Sequence, residues 1–211
     1  YSPMTAKRLS SVAYQYTPDQ NVESLFDRPE RTRMSYSNFD YQVRGHIARI
    51  TINRPKAYNA LDLDSARELC TIVNRCGCDR TVRAVVLTGA GDRAFCAGGD
   101  VASFARDPET VDQLLKEVTG FLHMAISRLA RMEVPVLGAV NGVAAGAGLG
   151  LAAACDLVIA ADNAAFTSAY TLIGLTPDGS ASYYLPRLIG HRRAMELFLT
   201  NRTLKAAEAL E

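Results

Sequence analysis

Residues 134–155 read VPVLGAVNGVAAGAGLGLAAAC, and the way this run divides decides the fold. Its length matches a membrane span, and Gly142, Gly146 and Gly150 repeat at the small-xxx-small spacing of packed membrane helices. Pro135, Asn141 and the dense glycines instead break it into strand, turn and helix, and its neighbours are amphipathic or charged. Gly148-x-Gly150-x-x-Ala153 also fits the loose form of a dinucleotide-binding fingerprint. The next strand begins near Asp156, however, which leaves about five residues for a crossover where parallel strands need a dozen or more. A Rossmann site is therefore not expected. What remains is a strand feeding a glycine-rich turn that opens a helix. Amides there lack an intrahelical acceptor, and small residues at 144–148 let a ligand come close to them.

Working outward, Phe95-Cys96-Ala97-Gly98-Gly99-Asp100 follows a short buried strand at 84–88 and forms a second turn of the same kind. One N–H donor from each turn would make an oxyanion hole. Tyr41, Val43, Arg44-Gly45 and the alternation from His46 to Ile52 predict a hairpin. A helix is expected after Asp64, with Ala66, Leu69, Cys70 and Val73 on one face. Residues 108–132 give the clearest helical signal, since Val111, Leu114, Leu115, Val118, Phe121, Leu122, Ala125, Ile126 and Leu129 share a stripe. His123 projects roughly 120° from the centre of that stripe, beside Lys116 and Ser127, as a solvated histidine would. Strands are expected at 134–140 and 156–160. Strands alternating with helices predict an α/β fold with parallel pairing.

The chain has 211 residues, 48% hydrophobic and 21% charged, enough for one compact domain with its own core. With 23 basic and 22 acidic residues, bulk charge gives it no hold on nucleic acid or an anionic membrane surface. Five cysteines, an odd number, make no disulfide framework and fit a reducing, cytoplasmic setting. A single Cys76-x-Cys78 and only three histidines supply no metal-ligand set. Residues 1–38 read as an N-terminal arm, mobile or an expression remnant, with the ordered domain spanning 39–211. Lys7 and Arg8 close to Ser10 and Ser11, with no acid before Asp19, faintly suggest a transit segment, which would place the protein in the mitochondrial matrix. The cluster Arg187, His191, Arg192 and Arg193 reads as helix-end charge rather than a phosphate site.

Four segments in register resemble the crotonase superfamily, the enoyl-CoA hydratase/isomerase fold. They are Asn53-Arg54-Pro55-Lys56-Ala57-Tyr58-Asn59-Ala60-Leu61, Arg93 to Asp100, Pro135 to Asp156, and Phe166 through Gly190. The resemblance implies a spiral stack of β-β-α units that binds an acyl-coenzyme A thioester and assembles into trimers, often paired into hexamers. Family members continue into further helices beyond the position of Glu211, so the helical C-terminal part is expected to be truncated here. It also implies that the N–H groups of Gly99 and Ala147 are the oxyanion donors. Lys56, Ala57 and Tyr58, with Asp100, Val101 and Ala102, would hold the coenzyme A, which is part of the substrate; no separate cofactor is implied.

The departures carry the chemistry. Hydratases of this family set two glutamates over the thioester, and the aligned residues are Gly150 and Tyr170, neither suited to proton transfer near neutral pH. Asp178 is the replacement candidate, because isomerase branches similar to those of phenylacetyl-CoA breakdown keep an acid there. In Pro177-Asp178-Gly179-Ser180 the same residue also reads as a helix N-cap. The expected reaction is double-bond isomerisation with Asp178 as proton shuttle. An alternative resembles 4-chlorobenzoyl-CoA dehalogenase or a thioester hydrolase, with Asp178 as nucleophile, His123 as base and Tyr170 at the acyl group. A non-catalytic acyl-CoA-binding scaffold is the remaining reading.

Overall fold

A computed structural model describes residues 14–15, 30–106 and 108–211. Among the described residues there are eleven strands: β1 (Tyr14–Gln15), β2 (Glu30–Ser35), β3 (Phe39–Arg44), β4 (Ile47–Ile52), β5 (Ala84–Gly89), β6 (Ala94–Cys96), β7 (Val136–Val140), β8 (Val143–Ala145), β9 (Leu157–Ala160), β10 (Ala165–Thr167) and β11 (Leu204–Lys205). They form a seven-stranded sheet in the order β1-β9-β7-β5-β4-β3-β2 and a four-stranded sheet in the order β11-β10-β8-β6. The helices are α1 (Leu63–Cys78), α2 (Val101–Phe104), α3 (Val111–Leu129), α4 (Ala147–Ala153), α5 (Ala181–Ile189), α6 (His191–Thr200) and α7 (Ala206–Leu210).

The repeating β-β-α unit is visible in the connectivity. β5, β7 and β9 run parallel in the larger sheet, and each continues into β6, β8 or β10 of the smaller one. A helix follows each pair, so the α/β expectation and the stacked units hold. β3 and β4 form the expected antiparallel hairpin around Gly45. Phe39, Tyr41 and Val43 alternate inward with Ala48, Ile50 and Ile52. α1 starts at Leu63, ahead of the start expected after Asp64, because Asp62 caps it. The Ser65 N–H donates to Asp62 Oδ1 at 2.9 Å, and the Ser65 hydroxyl oxygen accepts the Asp62 N–H at 2.7 Å. α3 buries Val118, Leu122, Ala125, Ile126 and Leu129 against this layer.

The run at 134–155 divides further than the sequence predicts. The expected turn contains β8, so two strands of two different sheets precede α4. Asn141 enforces the change of sheet: its side chain accepts the Gly89 N–H at 3.1 Å and donates to the carbonyls of Gly89 and Gly91. Among the described residues no helix is long and apolar enough to cross a membrane. β2 lies ahead of the boundary expected at Phe39 and pairs antiparallel with β3, while most of the arm assigned to 1–38 falls outside the described residues. The transit-segment residues Lys7, Arg8, Ser10 and Ser11 also fall outside them.

Candidate active site

β6 delivers the first glycine turn. Leu61 donates its N–H to the Gly98 carbonyl at 2.7 Å and accepts the Asp100 N–H at 2.8 Å, which pins the turn on both sides of Gly99. Between these bonds the Gly99 N–H meets no carbonyl among the described residues. The second turn opens α4. Gly146 donates to Thr167 O at 3.1 Å, and the next amide, Ala147 N–H, stands at the helix start with no backbone acceptor among the described residues. The two turns touch: Gly98 has φ +98°, and a β-carbon on it would lie 2.9 Å from Ala145 O and 3.4 Å from Ala147 N. Only glycine gives this approach. Beneath the first turn the Cys96 thiol is fully buried, and burial pushes it up to about 12, so it is no nucleophile.

The third component is the segment 170–180. A β-carbon on Gly179 would lie 3.5 Å from Ala147 Cα and 3.2 Å from Tyr170 Oη. The turn therefore packs on the first residue of α4. Asp178 is not the cap of α5, because its carboxylate makes no cap bond there and Ala181 N–H donates to its backbone carbonyl instead. The Asp178 side chain remains 32% exposed and faces His123, with Oδ2 3.4 Å from His123 Nε2. The Gly179 N–H donates to the same His123 nitrogen at 3.1 Å. His123 is off the apolar stripe and exposed as expected, yet its Nε2 reaches this site through Asp178 and Gly179.

Burial raises the Asp178 carboxyl, but hydrogen bonding from His123 and Tyr170 and the charge of His123 outweigh it, so the group stays below its ordinary value. His123 is held above its ordinary 6.5, chiefly through Asp178, with partial burial opposing. Burial and the Asp178 carboxylate push the Tyr170 hydroxyl far up, so it remains a neutral donor. That hydroxyl is buried, close enough to influence Asp178, and makes no hydrogen bond of ordinary geometry.

Beside the first glycine turn, Pro55–Ala57 form a short 3-10 turn ending in left-handed Tyr58, whose carbonyl accepts the Ala97 N–H at 3.1 Å. Lys56 and Tyr58 are exposed and Ala57 is half-buried, and the Arg93 guanidinium stacks on the Tyr58 ring at 4.1 Å. Val101 and Ala102 are exposed on α2. Asp100 is occupied structurally: its carboxylate pairs with Arg54 at 3.0 Å and accepts the Ser103 N–H at 3.1 Å.

Sequence reasoning passed over two residues that build this region. Arg54 also pairs with Asp62 at 2.6 Å and donates to the Ala60 carbonyl. Buried Asn59 accepts the Arg54 N–H at 2.9 Å and donates to Ala90 O and Ala94 O. The only signal for them was their polarity inside a segment otherwise read as a coenzyme A loop. Two clefts, of about 1170 Å³ at the ends of α1 and α3 and about 190 Å³ beneath α5 and α6, lie away from Gly99, Ala147 and Asp178. Among the described residues no group of His, Cys, Asp and Glu side chains is placed to hold a metal ion.

A sequence profile described as enoyl-CoA hydratase/isomerase matches residues 42–211. The chain is 42% identical over 180 residues to 4-chlorobenzoyl coenzyme A dehalogenase-2 of Arthrobacter sp, covering 83% of this chain and 65% of that one. It is 40% identical over 170 residues to 1,2-epoxyphenylacetyl-CoA isomerase of Escherichia coli, covering 80% and 64%. Among solved structures it is similar to enoyl-CoA hydratase from Bacillus anthracis, with a TM-score of 0.77, 34% identity, and coverage of 82% and 66%. The chain thus spans about 65% of the length of the curated relatives it matches.

Proposed function

Because the chain belongs to the enoyl-CoA hydratase/isomerase family, we propose that it binds an acyl-coenzyme A thioester and moves its carbon–carbon double bond. Asp178 takes a proton from C2 of a 3-enoyl-CoA, and the negative charge of the resulting dienolate collects on the thioester oxygen. The N–H groups of Gly99 and Ala147 hold that oxygen, each donor worth about 3 kcal/mol in such sites. Asp178 then returns the proton to C4, giving the 2-enoyl-CoA. One carboxylate suffices, and no electron leaves the substrate, so the step requires neither a redox group nor a metal. Lys56, Ala57 and Tyr58, with Val101 and Ala102, flank the first glycine turn and are assigned to the coenzyme A.

The observation that carries this reading is at Gly150. The resemblance aligns it with one hydratase glutamate, and a β-carbon there would fall inside contact distance of the Gly179 carbonyl oxygen, which supports a reaction needing a single carboxylate. Tyr170 occupies the other glutamate position with a buried hydroxyl that stays protonated. Replacing Asp178 by Asn is expected to lower kcat on a 3-enoyl-CoA by about 10²–10⁴-fold, the usual worth of a positioned base. Turnover near wild type would remove Asp178 from the mechanism.

The 3.4 Å approach of His123 to Asp178 favours a second reading. There Asp178 attacks a halogenated aroyl ring carbon, expelling halide, or the thioester carbonyl, expelling the coenzyme A thiolate, and His123 activates the water that cleaves the resulting ester or anhydride at the Asp178 carbonyl. Single turnover in ¹⁸O-water separates the two, since label enters the Asp178 carboxylate only on the covalent route. Tight acyl-CoA binding without turnover of a broad panel would point instead to a scaffold.

A further inference from the structure

One nitrogen serves two neighbours that require opposite things of it. His123 Nε2 accepts the Gly179 N–H at 3.1 Å and stands 3.4 Å from Asp178 Oδ2. An imidazole nitrogen accepts only while its lone pair is free, and it donates to a carboxylate only while it carries a proton. The two contacts therefore require Nε2 bare in one case and protonated in the other, and protonation of the ring forces the second. With its proton on Nδ1, neutral His123 holds Gly179; the imidazolium must release that amide and pair with Asp178.

We infer that His123 is a positioning residue whose neutral form holds the Asp178–Gly179 turn in its working place, and whose protonation releases the turn and captures the Asp178 carboxylate. The turn it holds is strained. Gly179 and Ser180 are consecutive left-handed residues, with φ +54° and +62°, and Ser180 lacks the freedom of glycine. The same turn packs on Ala147 and closes over Gly150, so a displacement reaches the start of α4, where one oxyanion donor is assigned. The titratable groups facing the ring are Asp178 and, behind it, Tyr170. On its own helix, Thr119 and Ser127 lie one turn to either side, with Lys116 further along. Asp178 raises the pH at which the ring loses its proton, with partial burial opposing.

This inference rests on the assignment of Asp178 as the proton-carrying group, and its test separates the two. His123→Gln keeps an oxygen able to accept the Gly179 N–H but cannot exchange a proton. On a 3-enoyl-CoA, wild-type kcat is expected to rise with pH through an inflection above 6.5. His123→Gln is expected to lose that inflection and to retain a larger share of kcat near pH 8 than His123→Ala. His123→Ala, with no acceptor, is expected to lose up to about 10²-fold in kcat with little change in KM, as a misplaced group does. In the free protein, the Gly179 amide resonance is expected to titrate together with the His123 ring. Folded His123→Gln that is inactive at every pH would overturn the inference in favour of proton transfer by His123 itself. A wild-type profile flat above pH 6, or a Gly179 amide that does not follow the ring, would also overturn it. If no acyl-CoA is turned over, the proposed function falls while the amide titration still decides the role of His123.

Discussion

Gly150 and Gly179 meet backbone to side, and the missing side chain at 150 matters as much as the carboxylate at 178. Gly150→Ala forces the Gly179 carbonyl away, and Asp178 is its neighbour in the chain. The substitution is expected to cost about 1–3 kcal/mol of stability, as overpacking does. It should also reduce turnover by more than the loss of fold explains; thermal unfolding and initial rates on the folded fraction check this. An alanine variant as stable and active as wild type would show that the contact does not constrain the turn. At this scale the sequence is legible where chemistry forces a residue type. The two glycine turns are legible in the residues themselves, whereas the choice of Gly99 and Ala147 within them, and of Asp178, comes from the family resemblance. Partners distant in sequence are not legible. Nothing local tells that Arg54 reaches Asp100, or that Asn59 reaches Ala90 and Ala94.

Among the elements, α3 and the β3–β4 hairpin are read directly, since long periodic patterns tie many residues to one face. β6, β8 and β10, of three residues each, leave no such pattern. In β8, Val143-Ala144-Ala145 lies among glycines whose composition suits a turn, and only pairing with β6 and β10 makes it a strand. The start of α1 is the opposite case, because its cap is a local chemical device. Asp62 sits where α1 begins and where Arg54 also pairs, so it joins the helix to the 54–60 turn. Asp62→Ala is expected to cost about 1 kcal/mol from the lost cap, and Arg54, left with Asp100 as its carboxylate partner, should hold the 54–60 turn less firmly. Chemical denaturation measures the first effect. Weaker acyl-CoA binding with kcat little changed marks the second, and unaltered affinity would detach this ion pair from the substrate.

For the molecule as a whole, the alternation of strand pairs with helices places three independent segments around one spot. In the proposed mechanism the loop after β6 supplies one amide, the start of α4 another, and the segment before α5 the carboxylate. Each belongs to a different β-β-α unit, so the stacking of units, rather than any single motif, assembles the site. The sequence shows each piece and its family resemblance; the backbone contacts that join them, Gly98 to Ala147 and Gly179 to Ala147, exist only in the folded chain. The seating of His123 on Gly179 belongs to the same class, since a residue off the apolar stripe of α3 gives no local sign of its partner.

The most direct measurement of the central claim follows one proton. A 3-enoyl-CoA deuterated at C2 is converted in ordinary water, and the product is read by mass and by NMR for deuterium at C4. If Asp178 carries the proton from one carbon to the other, a measurable share of the label arrives at C4 with wild-type protein, and both transfer and turnover collapse in Asp178→Asn. Conversion that proceeds with complete loss of label and is indifferent to Asp178→Asn would contradict the account.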